Sequence, residues 1–298
     1  MRFLFINFLL LPCWVVLHAQ DHRPLVVVEC AGGYQATDLQ WSIAGNVNEQ
    51  AINVLSEVKW RALSGPLLNG KVLLNTGRRW FVGGAFSKSF IKTGTATDTD
   101  YGESNRSLPT YHAQLDSDEG SLFSYRIFGG YHLLQRAKVQ LSAFAGYTER
   151  KAAVFLLNHA EEVAGQKNLR CTYDNSWKGI TGGISGLYKI TSWLNIGAEL
   201  QYSQLHYYAA ADWNLIAAFQ HPLSFEQHAR GFDISLSCSA VFRLNQYLVL
   251  FFSGGYCHAA TGTGRDDLYL ASGAVQTTQF NGAFTQTKSI AIGTRFQF

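Results

Sequence analysis

The C-terminal segment constrains this chain more than any other feature. Ile290, Ile292, Thr294, Phe296 and Phe298 fall on one face of an extended strand, and Ser289, Ala291, Gly293, Arg295 and Gln297 on the other. Strand side chains alternate between faces, so this segment has one aromatic, apolar face and one polar face, and it ends on Phe. The period recurs upstream. Leu194, Ile196, Ala198, Leu200 and Tyr202 oppose Asn195, Gly197, Glu199, Gln201 and Ser203. Val139, Leu141, Ala143, Ala145 and Tyr147 form another apolar face, and Phe123, Tyr125, Ile127, Gly129 and Tyr131 one more, opposed by Ser124, Arg126 and His132. Leu248, Leu250 and Phe252 mark a penultimate strand whose other face carries Val249 and Phe251. Segments of about ten residues with this alternation, separated by polar or glycine-rich breaks, are the signature of a transmembrane β-barrel. In a small soluble core Glu199 would be costly, whereas a wet lumen tolerates it.

Composition agrees. Apolar residues make up 47% of the 298, yet mean hydropathy is −0.02, so hydrophobicity is dispersed along the chain and not gathered into blocks. No window after the N-terminus reaches the ~18 apolar residues of a spanning helix. A net charge of +3 is too small to argue for a nucleic-acid partner. Residues 1–20 are expected to be a signal peptide: Arg2, an apolar run from Phe3 to Leu17, and a cleavage region after Ala19 or Gln20. Residues 21–298 then form one barrel domain. Of the cysteines left, Cys30, Cys171, Cys238 and Cys257 have no metal-site spacing; Cys238 and Cys257 could pair across neighbouring strands, or all four could stand free in the wall. Leu134–Lys138 and Phe242–Tyr247 are expected as short turns. Thr95–Ser121, Leu156–Trp177 and Ala209–Arg230 are expected as long extracellular loops.

Two of these loops carry candidate chemistry. Asp98 and Asp100 point the same way in an extended chain, ~7 Å apart. Carboxylates that close repel, so one has a raised pKa and the pair can share a proton or hold a water. The alternative is a solvated loop tip, and no calcium loop follows. The second loop holds Asp212, Trp213 and Asn214.

Taken together, these segments resemble the omptin family of outer-membrane proteases, over roughly Leu55 to Phe298. Leu55 to Trp60 is similar to the family's opening strand, Asp98-Thr99-Asp100-Tyr101 to its D-x-D-[WY] pair, Ala145 to Glu149 to its A-G-Y-x-E, and Leu200 to Ser203 to its F-K-Y-S. An ungapped count from there brings Asp212 to the family's D-E-H. The resemblance implies an antiparallel barrel of about ten strands in the bacterial outer membrane. Its mouth would be extracellular, and an Asp pair and an Asp-His pair would hold a water that attacks the scissile carbonyl. Asp98 and Asp100 would polarise that water and Asp212 would orient the base. The base itself is replaced by Asn214, which accepts no proton near neutral pH. Either activity is impaired, or His206, His221 or His112 substitutes. Ala210 replaces an acidic residue of the basic-side-chain pocket, to which Asp38 would contribute. Tyr147, Glu149 and Lys151, with Arg230, match the family's lipid A phosphate cluster. On the outward face such charges must lie at or above the membrane surface.

The expectation is therefore an all-β, omptin-like outer-membrane endopeptidase, aspartic-type, acting on surface peptides or proteins. It would need no metal or cofactor beyond lipopolysaccharide, and the barrel assembly machinery would read its terminal strand. A proteolytically inactive barrel serving as adhesin or surface-binding protein is the alternative. A small channel is a third, opposed by a lumen that Arg126, His132, Glu199 and Arg295 would fill.

Overall fold

A computed structural model describes residues 24–45, 52–76, 79–159 and 168–298; the expected signal peptide lies outside them. Twelve β-segments close into one antiparallel ring: β1 (Val26–Ile43), β2 (Ser56–Asn75), β3 (Trp80–Phe90), β4 (Thr93–Glu103), β5 (Ser107–Asp116), β6 (Gly120–Gln135), β7 (Val139–Leu157), β8 (Arg170–Lys189), β9 (Leu194–Asp212), β10 (Phe225–Arg243), β11 (Leu248–Tyr269) and β12 (Val275–Gln297). β3 and β4 both pair with β2, on its later and earlier halves, so they form one interrupted wall strand. β6 pairs along β7 and β5 meets its far end at Asp116–Leu157, so these two also form one wall strand and the wall counts ten. β1 pairs with both β2 and β12, which removes the sheet edges.

Strand length explains the layout. β8 has 20 residues and β11 has 22, whereas ~9–11 suffice to cross a bilayer. About half of each wall strand therefore stands clear of the membrane. The crossing half is marked by an outward apolar belt that includes Leu68, Val72, Ile127, Ile180, Leu200, Ile234, Ile290 and Ile292, all exposed. The outward faces expected for the four alternating segments are thus the ones the ring presents. Val249 and Phe251, the anomalous inward pair of the penultimate strand, pack with Val241 in a small buried cluster.

The lumen has two layers. Within the belt it is polar, and Glu199 accepts from Arg126 at 2.8 Å with Lys71 at 3.9 Å. Glu29 pairs with Arg295 at 2.8 Å, and His132 bonds Ser142 at 2.8 Å. The Arg126 guanidinium also lies 4.7 Å from the ring centres of Phe128 and Phe144. These groups line a cavity of about 660 Å³. Above the belt the lumen is filled by an apolar core that includes Trp41, Trp60, Tyr173, Tyr207, Trp213, Phe225 and Phe280. Trp60 and Tyr173 stack at 5.1 Å, and Tyr207 and Phe280 at 5.6 Å.

All three expected loops take in strand, and the first is mostly strand. Thr95–Ser121 contains β4, a turn near Ser104–Arg106 and β5, a hairpin that prolongs the wall. β8 begins at Arg170 inside the second, and the third keeps only Trp213–Ser224 as connection. Their polar outward faces imitate loops. The short turns fall where expected, between β6 and β7 and between β10 and β11. Cys238 stands opposite Gly254 and Cys257 opposite Ser235, with Cys238 exposed and Cys257 buried, so they do not pair; the four described cysteines are free.

Candidate functional site at the loop rim

β4 carries Asp98 opposite Val58 and Ala113, and Asp100 opposite Ser56 and Tyr111. Val58 and Ala113 are buried in the core, and antiparallel partners share a face, so both carboxyls point into the upper lumen. Asp98 is only 4% exposed and accepts a hydrogen bond from the Trp213 side chain. Burial, then the neighbouring Asp100 charge, pushes its pKa up to about 8. Burial also raises Asp100, against a hydrogen bond from Ser56. Tyr111 and Cys171 are both pushed up to about 12, chiefly by burial, with the Asp98 charge adding to each. Burial is thus the main influence on both carboxyls, and the Asp100 charge adds to it at Asp98.

Asp212 is not across the mouth from them. The inward set of β9 is Leu205, Tyr207, Ala209 and Ala211, followed by Trp213, all buried. Asp212 falls between these, on the outer face beside Thr172. The ladder from Tyr202 to Asp212 is unbroken, so alternation along β9 puts Asp212 on the face opposite Trp213. Trp213, not an acid or an imidazole, occupies the inward position near Asp98. Asp212 does have an imidazole partner: His221 Nδ1 lies 2.5 Å from its Oδ1, supplied from nine residues on, with both side chains partly exposed. His221 is one of the three histidines the sequence offered as a substitute base, and it is the one that meets Asp212. Asn214 is a tie, its Oδ1 accepting from the Arg170 amide at 3.1 Å and facing the Cys171 thiol at 3.4 Å. His112 points outward and bonds Thr99 at 2.9 Å, so it is no substitute base for Asp98.

Asp38 also leaves the proposed pocket. Its neighbours Thr37 and Leu39 are buried inward, while Asp38 turns outward, accepts the Ala62 amide at 2.8 Å and pairs with Arg61 at 3.6 Å. Ala62 has φ of 52° at a bulge of β2, so Asp38 stabilises a strained bend.

The outward cluster holds together better. Tyr147 is exposed, and Lys151 reaches Glu149 at 3.3 Å. Register carries the row around the wall: Glu149 stands opposite Lys178, Lys178 opposite His206, and His206 opposite Arg230. Arg230 thus belongs to the same level as Glu149, linked by Lys178 and His206, which sequence reasoning did not place there. Ile180 and Tyr202 of the apolar belt lie just below. Buried Asp266 was also missed. It accepts from Gln227 at 2.9 Å, and burial raises it to about 6. Among the described residues no cluster of His, Cys, Asp and Glu could hold a metal.

The fold is that of the outer membrane protease OmpT from Escherichia coli, at 13% identity and a TM-score of 0.74, covering 93% of this chain and 97% of that one. The translocator domain of the autotransporter NalP from Neisseria meningitidis matches at 12% identity and a TM-score of 0.40, covering 93% and 90%. No curated protein sequence matches. The family model of Pom, the Protochlamydia outer membrane protein, matches residues 29–298, and this outer-membrane barrel belongs to that family.

Proposed function

We propose that this chain is an omptin-fold barrel that binds at the cell surface and does not hydrolyse peptides. The observation that carries this is the burial of Asp98 beneath Trp213, with the Asp212–His221 pair turned to the opposite face. A general base contributes ~10²- to 10⁴-fold to a hydrolysis, and it must reach the water that the carboxylates hold. Here the inward partner of Asp98 is an indole, which neither takes up a proton nor leaves room for a substrate carbonyl.

The loop rim would face outward from the cell, and the ligand would be a phosphate-bearing lipid such as lipopolysaccharide. Lys178, His206 and Arg230 support this, standing side by side above the apolar belt with Lys151 two residues higher on β7, where lipid phosphates lie. The exposed terminal Phe298 suits recognition by the assembly machinery. No cofactor is required.

The test is a fluorogenic Arg-Arg peptide offered to the purified barrel in lipopolysaccharide micelles. No cleavage is expected, and none should be gained in Asn214→His, because the inward position beside Asp98 is held by Trp213. Fast cleavage by the wild type, abolished by Asp98→Ala, would overturn the proposal. The cavity of about 660 Å³, lined by charges and hydroxyls, favours a second reading as a narrow channel. Steady conductance in planar bilayers would select it, and would require the aromatic layer above the cavity to part.

A further inference from the structure

The outer wall carries a groove of about 500 Å³ within the apolar belt, between β2, β3 and β6. Its sides are Val72, Leu74, Val82 and Ile127, all exposed. Its floor is made by two outward glycines. Gly84 stands between Val72 and Ile127, and Gly129 between Val82 and Ala145. Side chains are missing at two diagonal neighbours, so the wall is indented there by the depth of a side chain. At outward Gly70, by contrast, the Phe86 ring covers the gap, and an added Cβ would meet it at 2.3 Å. At Gly84 and Gly129 an added Cβ would meet nothing closer than 3.9 and 3.8 Å. The indentation is open.

One end of the groove meets a headgroup site. Trp80 pairs with Tyr131 one row below Val82 and Gly129, with their rings at 4.9 Å and Trp80 exposed. The Arg79 guanidinium lies 6.0 Å from the Tyr131 ring centre. Exposed Trp and Tyr mark the membrane–water interface, and a guanidinium binds phosphate with two parallel hydrogen bonds. From Trp80 to Gly84 the strand rises ~13 Å, within the length of a fatty acyl chain.

We infer that the groove seats one acyl chain of a phospholipid from the leaflet on the turn side, its phosphate held by Arg79 beside Trp80 and Tyr131. Cation, aromatic pair and apolar slot follow one another along β3 in the order of phosphate, glycerol and chain. A second copy of the barrel fits less well, because a twofold contact would set groove against groove and leave a void. This inference is independent of the phosphate row at the loop rim, which lies on β7 to β10.

Native mass spectrometry of the full mature chain, released from vesicles of phosphatidylethanolamine and phosphatidylglycerol, tests it. The wild type is expected to keep one phospholipid through detergent exchange. Gly84→Leu with Gly129→Leu fills the slot and should lower the retained fraction about tenfold or more. Arg79→Gln leaves the wall intact and should lower it about fivefold, which keeps the inference testable if the double variant misfolds. Heat-modifiable gel mobility reports folding of each. Unchanged retention in a folded double variant, or in Arg79→Gln, overturns it. So does a wild-type dimer mass that the double variant converts to monomer.

Discussion

The two halves of the lumen solve the same problem, filling a narrow barrel, with opposite chemistry. Inside the membrane belt the wall is apolar outward, so the inward residues are Lys71, Arg126, Glu199, Arg295 and a run of hydroxyls around an open cavity. Above the belt the outer face is wet, and the inward residues are Trp60, Tyr173, Tyr207 and Phe280, fully buried. The reversal happens within single strands. On β9, Ile196, Leu200 and Tyr202 face lipid, and three residues later Leu205 begins the inward apolar series. A barrel is hydrophobic toward whichever side lacks water. The upper half is stabilised as a soluble core is, by apolar burial, and the lower half by charge pairs shielded in a lumen that lipid surrounds.

This contrast can be broken most forcefully at Trp60. Trp60→Ala should cost about 3–5 kcal/mol, read as a large drop in the temperature at which the barrel loses its compact gel mobility; a shift of a degree or two would mean that the upper half is not a packed core. The lower half should respond differently to loss of one partner and of both. Glu199→Leu leaves Arg126 unpaired and should cost about 2–4 kcal/mol, whereas Arg126→Met added to it should restore part of that loss. Strict additivity would show that the pair is not coupled. The smallest effect expected is a pH dependence in the upper half. Asp98 has a folded pKa of about 8 against an ordinary 3.8. The folded state thus holds the proton more tightly, and stability is highest below pH 4 and falls as pH rises toward 8. Asp98→Asn should flatten that fall, worth on the order of 2–3 kcal/mol between pH 6 and 9; an equal fall in the variant would assign it to other groups.

The lower half was legible because the bilayer imposes one uniform requirement on every crossing segment, which is why Ile290 to Phe298 and Leu194 to Tyr202 read correctly. The upper half obeys the same period in the other phase, with polar residues such as Thr97, His112 and Gln114 turned to water, and so reads as loop. The site inherited that difficulty. Asp98 and Asp100 sit in a strand whose direction their spacing already implied. Asp212 sits where one residue decides between lumen and solvent, and a motif match does not say which side its residues face. The partners Trp213 and His221 are brought in by the β9–β10 connection, whose path depends on the aromatic core beneath it.

The change of phase along β9 also fixes how its neighbours must align. If β9 slid one residue against β8 or β10, Leu200 and Tyr202 would leave the lipid for the charged cavity, and Leu205 and Tyr207 would leave the core for water. Two solvents would object at once, at opposite ends of the same strand. A wall keyed twice in this way cannot exchange stability in one compartment for comfort in the other, and its alignment is settled only when both ends are seated.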